Sequence, residues 1–462
     1  MTIVEPREDL VPAAVPYADL DSSTTGTLAV QGEEEYDALV SPWNLAIAVR
    51  PAAVLAARTA QDVVEAVRFA RRHRLLVTPQ ATGHGPIAEL VGAILVNTQG
   101  LDECVVHVEG PGEGWARVGA GVKWIRVVQA AAPHGLAPLS GSITDVGIVG
   151  YTTGGGLGPM ARTYGLAIDR VRAIEVVTGD GVLRRVTPTE DPELFFGLRG
   201  GKGMLGIVTA IEFDLVHQPT FYGGSLWFEG EHAAAVIERW RAWSDELPEA
   251  ATTSFALFQL PAMPDVPPVL AERLTLSVRY LWTGDATEGE RWFASMREAA
   301  PVLLDDVALK PYTEVDSVHT DPLDPLPAHE AASVLTDFPA EAAQALLATA
   351  GPGSGSPQVL VEVRQMGGAV ARRGAHDSAF SSRDVAYSLL LVGIAGTPGL
   401  ETHAEAILEA MAPWTGGRRL PNFTFAADDY RDAYDELTSA RLRRAVRTYD
   451  PDRVMAIGRA LG

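Results

Sequence analysis

Cysteine is all but missing from this chain. Cys104 is alone among 462 residues, so no internal disulfide can form, and a single thiol says nothing about redox compartment. It opens the short apolar run Cys104-Val105-Val106, which predicts a strand with a buried thiol. Long apolar runs are missing too. No window approaches the 18 uninterrupted apolar residues that a membrane-spanning helix needs. Positive charge is scarce, with 37 Lys and Arg against 59 Asp and Glu and a formal charge of −22. Such a surface keeps a protein soluble and repels phosphate backbones and anionic lipid, so neither nucleic acid nor membrane is expected as a partner. The first twenty residues carry Glu5, Glu8 and Asp9 and lack the basic start and apolar core of a signal peptide. A cytoplasmic protein is the expectation.

Several catalytic signatures are also wanting. No Cys/His cluster could hold zinc, and His329-Glu330 lacks the second histidine of a zincin helix. No G-x-S-x-G elbow occurs. Gly201-Lys202-Gly203-Met204-Leu205-Gly206 fits G-x-G-x-x-G, but the β-branched run Ile207 to Val216 that follows reads as a strand, where a dinucleotide fingerprint requires a helix. Lys202 precedes Gly rather than Ser or Thr, which excludes a Walker-type phosphate loop.

What is present is ample apolar material, 47% of residues with 21% charged, enough for a sizeable core, and a length that suggests about three domains' worth of sequence or two large ones. Thr59 and Asp62 form a capping pair that opens a helix reaching about Arg74, with Val63, Val67 and Ala70 on one face. Strands are predicted at Leu75 to Val77, Ala93 to Val96, Cys104 to Val108 and Trp115 to Val118, and a helix at Trp124 to Ala132. This alternation argues for an α/β or α+β nucleotide domain. From Gly141 to Gly206 glycine is dense, as in tight loops where backbone must approach something closely. The composition changes near Pro219. Aromatic strands (Ser225 to Phe228, Leu274 to Trp282) then alternate with Ala-rich helices to about Pro413, and Tyr430 to Arg447 reads as a charged amphipathic helix. Trp227, Trp240, Trp243, Trp282 and Trp292 are expected mostly in the core, with some available to line an apolar pocket.

The turn Gln80-Ala81-Thr82-Gly83-His84-Gly85-Pro86 follows a strand and places an imidazole between two glycines. Backbone N–H groups there are free to converge on an anion beside a nucleophile, although a lone histidine in a surface turn has the same local pattern. The order of later segments decides between them. Gly119-Ala120-Gly121 with Trp124 comes next, then Gly147-Ile148-Val149-Gly150-Tyr151 running into Gly154-Gly155-Gly156-Leu157-Gly158. Val176 to Gly181, Asp191 to Gly201 and Gly206-Ile207-Val208-Thr209 follow. Val361 to Ala369 carries a Gly-Gly turn, and the end contributes Leu420-Pro421-Asn422-Phe423 and Tyr449-Asp450-Pro451-Asp452. This ordered set, over nearly the whole chain, resembles the vanillyl-alcohol-oxidase superfamily with its PCMH-type FAD-binding domain, specifically the berberine-bridge-enzyme-like FAD-linked oxidases.

The resemblance implies an α+β protein with a two-part FAD-binding domain, residues 1–218 completed by 414–462. An inserted substrate domain, 219–413, would be built on an antiparallel sheet flanked by helices. It implies FAD bound covalently through His84 only, because the position of the family's second, cysteine attachment is Ile143. The implied cofactor-binding set is His84, Gln80, Ala81, Thr82, Gly83 and Gly85 from the turn, then Gly141, Ser142, Val146, Gly147, Gly150, Gly155, Gly158, Ile207 and Asn422. Gln80, Ala81 and Thr82 stand where the family has an Arg and two glycines, which removes a cation from the diphosphate. Leu420 and Phe423 replace the tyrosines of the C-terminal motif, and neither can take a proton. Glu362 and Arg364, two apart on one strand and so on one face, are then candidates for catalysis, or equally a structural ion pair; Tyr151, Tyr312 and Tyr387 are further candidates. The implied reaction is oxidation of a small organic molecule, in natural-product tailoring for instance, by hydride transfer to the flavin with dioxygen as acceptor. A flavin-holding scaffold that catalyses a non-redox cyclisation is the alternative. No metal is expected.

Overall fold

Thr59 and Asp62 make the capping box that their spacing predicts. Thr59 Oγ1 accepts the Asp62 N–H at 3.1 Å, and the Asp62 carboxylate accepts the Thr59 N–H at 2.9 Å. The helix Ala60–His73 ends at Arg74 in a left-handed conformation. It buries Val63, Val67, Phe69 and Ala70 against the first of three sheets. The computed structural model describes residues 15–85, 90–264, 266–424, 430 and 432–461.

The first sheet comprises β1 (Thr27–Val30), β2 (Ala53–Ala56), β3 (Leu76–Gln80) and β4 (Ala93–Asn97) in the order β1-β2-β4-β3, parallel except for β1. The second contains β5 (Cys104–Gly110), β6 (Glu113–Gly119), β7 (Leu136–Ala137), β8 (Val171–Thr178), β9 (Leu183–Val186) and β10 (Gly206–His217). Its order is β5-β6-β10-β8-β9, antiparallel throughout, with β7 paired to the end of β10. The segment after Gly201 to Gly206 is therefore a strand, as its β-branched run requires. Cys104 departs from expectation: it begins the edge strand β5 and is half-buried, because an edge strand lacks a neighbour to cover it. Burial nonetheless pushes its thiol up.

The third sheet holds β11 (Thr220–Glu229), β12 (Ala251–Gln259), β13 (Leu274–Trp282), β14 (Val302–Asp305), β15 (Ala308–Pro311), β16 (Ala328–Leu335), β17 (Leu360–Gln365) and β18 (Tyr387–Ile394). Its antiparallel order is β14-β11-β13-β12-β17-β18-β16, with β15 also on β11. The two-residue period of the strands separates two faces. Phe255, Val278, Tyr280, Val363 and Leu389 pack with Trp240, Trp243 and Leu346 from helices Ala233–Glu246 and Ala340–Ala350. Ser254, Arg279, Glu362 and Arg364 lie on the opposite face, which meets the loops of the first two sheets: Arg364 Nη2 donates to Ser142 Oγ at 3.1 Å.

The chain then returns. Its last long helix is Glu436–Tyr449, starting later than Tyr430, because Asp435 accepts the Thr438 N–H at 2.7 Å and caps it there. Leu442, Ala445 and Val446 enter the core with Phe195, Phe196 and Leu205. Beyond it, Val77 of β3 donates its N–H to the Val454 carbonyl at 2.8 Å. Among the described residues no helix is long and apolar enough to cross a membrane, and no group of three ligating side chains could hold a metal.

Candidate active site

β3 ends in the turn that presents His84. Gly83 sits at φ +73°, and a Cβ there would come within 2.6 Å of Pro42 Cα, so glycine is required twice over. Gly85 differs: among the described residues no atom lies within 4 Å of where its Cβ would be. His84 Nδ1 is 2.9 Å from Thr82 Oγ1, and its ring stacks on the Trp43 indole with centroids 4.6 Å apart. Burial lowers its pKa to about 4; nearby Lys123 adds to the fall while Asp145, ion-paired to Lys123 at 2.8 Å, opposes it. The imidazole is neutral at pH 7, as a nucleophile must be. Gln80 does not turn toward a ligand: its amide donates to the Val40 carbonyl at 3.1 Å, and it is buried. The Ala81 carbonyl accepts from Gln99 Nε2 at 2.8 Å.

The glycine-dense loop forms the other wall. A Cβ on Gly147 would lie 3.4 Å from Ala81 and 3.6 Å from Thr82 Oγ1, so the two segments abut. Val146 accepts the Trp124 N–H at 3.1 Å. The glycines expected at the cofactor then divide. Gly150, like Gly85, opens on space. Gly141, Gly155 and Gly158 admit other protein atoms: the Tyr151 ring, the Phe380 ring and the Ser140 carbonyl would meet their Cβ atoms. The Ile207 side chain is wholly buried in the apolar core with Val177 and Val96, which leaves only its main chain to face the site. Asn422 closes this wall; its amide donates to the Tyr151 carbonyl at 2.8 Å, and its Oδ1 accepts from Lys202 Nζ at 2.7 Å. Burial lowers the Lys202 ammonium to about 8. The sequence drew notice to Lys202 only as a failed phosphate-loop lysine.

Across the cleft, the sheet face carries charge. Glu362, Arg364, Arg279 and His319 are each at most 5% exposed. Glu362 takes hydrogen bonds from Arg279 at 2.7 Å, Ser254 Oγ at 2.7 Å and Arg364 at 3.0 Å, and His319 Nε2 lies 3.8 Å away. Burial alone would raise this carboxyl, but the two guanidiniums outweigh burial and hold it well below the usual range. Glu362 is thus an anchored anion and a poor base, whereas Arg279 Nε and His319 Nδ1 are buried without a partner among the described residues. The candidates Tyr151, partly buried, and Tyr312, buried, have raised pKa values, and their hydroxyls donate to the Ser140 carbonyl at 3.2 Å and the Pro138 carbonyl at 2.6 Å. Tyr387 lies on the wrong face of the sheet, in the helix-side core beside Asp245. A register shift is not the cause: Tyr387 pairs with Gln365, which alternates with Arg364.

Two further acids on this side have no sequence motif. Glu330 on β16 pairs with Val392, which pairs with Leu360, placing it on the face that carries Glu362. Burial pushes it up to about 7, with the Asn44 amide opposing the rise. Asp321 is also raised by burial, with Arg279 opposing. Next to these charges Trp227, Phe258 and Leu360 form an apolar patch. The cleft therefore offers a neutral nucleophile, glycine backbone open to a ligand, and a wall of arginines with unpartnered donors, which fits a flavin.

Residues 51–187 match the family model described as an FAD binding domain. The chain is similar to (R)-6-hydroxynicotine oxidase of Paenarthrobacter nicotinovorans, 28% identical over 320 residues, 65% of this chain and 66% of that protein. Matches to curated relatives span about one third to two thirds of those proteins' lengths. In structure the chain resembles 6-hydroxy-D-nicotine oxidase from Arthrobacter nicotinovorans, with a TM-score of 0.80 at 23% identity, covering 94% of this chain and 97% of that one. It also resembles a variant of berberine bridge enzyme, with a TM-score of 0.79 at 16% identity, covering 95% and 97%.

Proposed function

We propose, from the premise that this chain carries the FAD binding domain and the fold of the vanillyl-alcohol-oxidase flavoproteins with their berberine-bridge-like members, that it is an FAD-linked oxidase of a small organic substrate. The observation that carries the reading is the half-buried, neutral His84 at a glycine turn that abuts the loop 141–158. His84 is the single covalent attachment of the flavin, and the division of labour follows the chain: 1–218 with 414–462 hold FAD, and 219–413 hold the substrate. Relatives are named oxidases, monooxygenases and FAD-linked oxidoreductases.

When bound, FAD would supply the acceptor for a hydride from a substrate C–H bond, with dioxygen as the onward acceptor of the electron pair, giving hydrogen peroxide. The protein's residues do the rest. Arg279 and Arg364, fixed by Glu362, set positive charge against the cleft and favour negative charge that develops there. A base for the accompanying substrate proton has an affinity matched to neutral pH, and Glu330, at about 7, has that affinity. Trp227, Phe258 and Leu360 give the substrate an apolar wall.

The test is a reductive half-reaction. Candidate substrates are mixed anaerobically with the holoenzyme while the visible band of oxidised flavin is followed. Bleaching within the turnover time, and recovery on admitting air, is the expected result. Slow recovery in air would identify a dehydrogenase, and product formed with the flavin oxidised throughout would overturn the redox reading.

A further inference from the structure

Trp43 comes from a segment in which the sequence shows no motif, and the proposed reaction gives it no part. Its geometry is nonetheless specific. The indole lies on the His84 ring with planes 14° apart. Main-chain bonds fasten the segment to the turn: the Trp43 N–H donates to the Thr82 carbonyl at 3.0 Å and the Asn44 N–H to the Gly83 carbonyl at 3.3 Å. Its other edge is fastened to the chain leading into β16. Trp43 Nε1–H donates to the Leu323 carbonyl at 3.0 Å, the Leu326 N–H donates to the Trp43 carbonyl at 3.2 Å, and the Asn44 amide donates to the Ala328 carbonyl at 2.9 Å. With its main chain fastened on both sides and its Nε1–H anchored to Leu323, the indole cannot follow a rotation of the imidazole, so it sets the plane in which that ring lies. In the tautomer that donates Nδ1–H to Thr82, the lone pair of the neutral ring is on Nε2.

We propose that Trp43 is a positioning residue for the flavin bond at His84, fixing the imidazole plane and coupling it to the seating of residues 323–328. This rests on the reading of His84 given above. In the bond-forming step an imidazole nitrogen joins the 8α carbon of the isoalloxazine. One C–H and one N–H bond are lost and one C–N bond forms; the two electrons and two protons released pass to the flavin ring and then to dioxygen, giving hydrogen peroxide. A ring free to turn presents its lone pair to that carbon only part of the time, and an ångström of misplacement costs roughly a hundredfold in rate.

The experiment uses full-length protein produced without flavin and mixed with FAD, comparing wild type with Trp43→Ala, Trp43→Leu and Trp43→Phe. The readouts are total bound flavin before acid precipitation and flavin kept in the pellet afterwards, as a function of time and pH. The expected result is full non-covalent binding in all variants, wild-type incorporation in W43F, and incorporation slowed roughly a hundredfold in W43A and W43L. W43A also uncovers His84, leaving the Lys123–Asp145 pair as its charged neighbours. Its incorporation then falls in acid near the ordinary histidine value of about 6.5, whereas wild type stays flat above about 4. Should W43A fail to fold, W43L, which keeps apolar cover without a flat ring, decides the matter. Wild-type rates and a flat pH profile in W43A or W43L overturn the role of Trp43 alone. Absence of flavin from the wild-type pellet overturns the attachment at His84 and this inference with it.

Discussion

Replacing His84 with alanine is expected to abolish covalent flavin while leaving a chain that still binds FAD. Wild-type protein is expected to weigh one FAD more than its polypeptide, to keep its yellow colour in the acid pellet, and to show flavin on one peptide only, that containing His84. The structure supplies both halves of this expectation. His84 is uncharged at neutral pH and sits where the turn meets the loop 141–158. Ile143, at the position of the family's second attachment, is an apolar side chain 7% exposed, and Cys104 lies on the edge strand β5 with a raised thiol pKa. In H84A the backbone open at Gly85 and Gly150 remains, so flavin binds and is lost on denaturation. Flavin found on Cys104, or wild-type flavin released by acid as readily as in H84A, would refute the single attachment.

The second large effect concerns Glu362, and it is one of stability. Glu362→Gln leaves the guanidiniums of Arg279 and Arg364 buried without their anion. Removing one partner of a buried ion pair costs about 3–5 kcal/mol, so a marked fall in melting temperature is expected. The pH dependence has a definite sign. The carboxyl is held below its unfolded value of about 4.3, so its contribution is complete above that pH and is lost as pH falls through the folded value. The gap in stability between wild type and E362Q therefore narrows in acid. Glu330→Gln should behave oppositely. Glu330 is half-buried and lacks a guanidinium partner among the described residues, so E330Q melts near wild type but slows flavin reduction by about a hundredfold, the range of a lost general base. It also erases the rise in rate as pH passes about 7. Equal melting temperatures for E362Q and wild type would show that the ion cluster is not the anchor described.

The fold was legible because local rules and global topology agree in this chain. Thr59 and Asp62 cap where their spacing places a cap, and the strand after Gly206 distinguishes its glycines from a dinucleotide loop. His84 was legible for a related reason: a Gly-flanked turn after a strand has local geometry that the residues dictate. Residues that meet only in the tertiary structure were not. Trp43 and His84 are brought together by hydrogen bonds between segments, and Arg279 reaches Glu362 through strand pairing across β12 and β13. Strand parity put Glu362 and Arg364 on one face correctly, yet parity cannot report that two arginines surround one carboxylate and make it a poor base. Tyr387 failed for the same reason in reverse, since its face follows from the β17–β18 register. The composition of the 141–158 loop did not reveal which glycines face a cleft and which make room for Tyr151 or Phe380.

The bond between Val77 and Val454 sets an order of events during synthesis. β3, which leads directly into the His84 turn, finds one of its hydrogen-bond partners 377 residues later in the chain, at the Val454 carbonyl. Every strand of the third sheet, by contrast, comes from residues 220–394, and chains emerge from the ribosome N-terminus first. The third sheet with its layer of helices can therefore be complete while the first sheet still waits for its contact with the Val454 segment. The strand that leads into the histidine turn thus takes one of its main-chain restraints from a segment made after the whole of the third sheet.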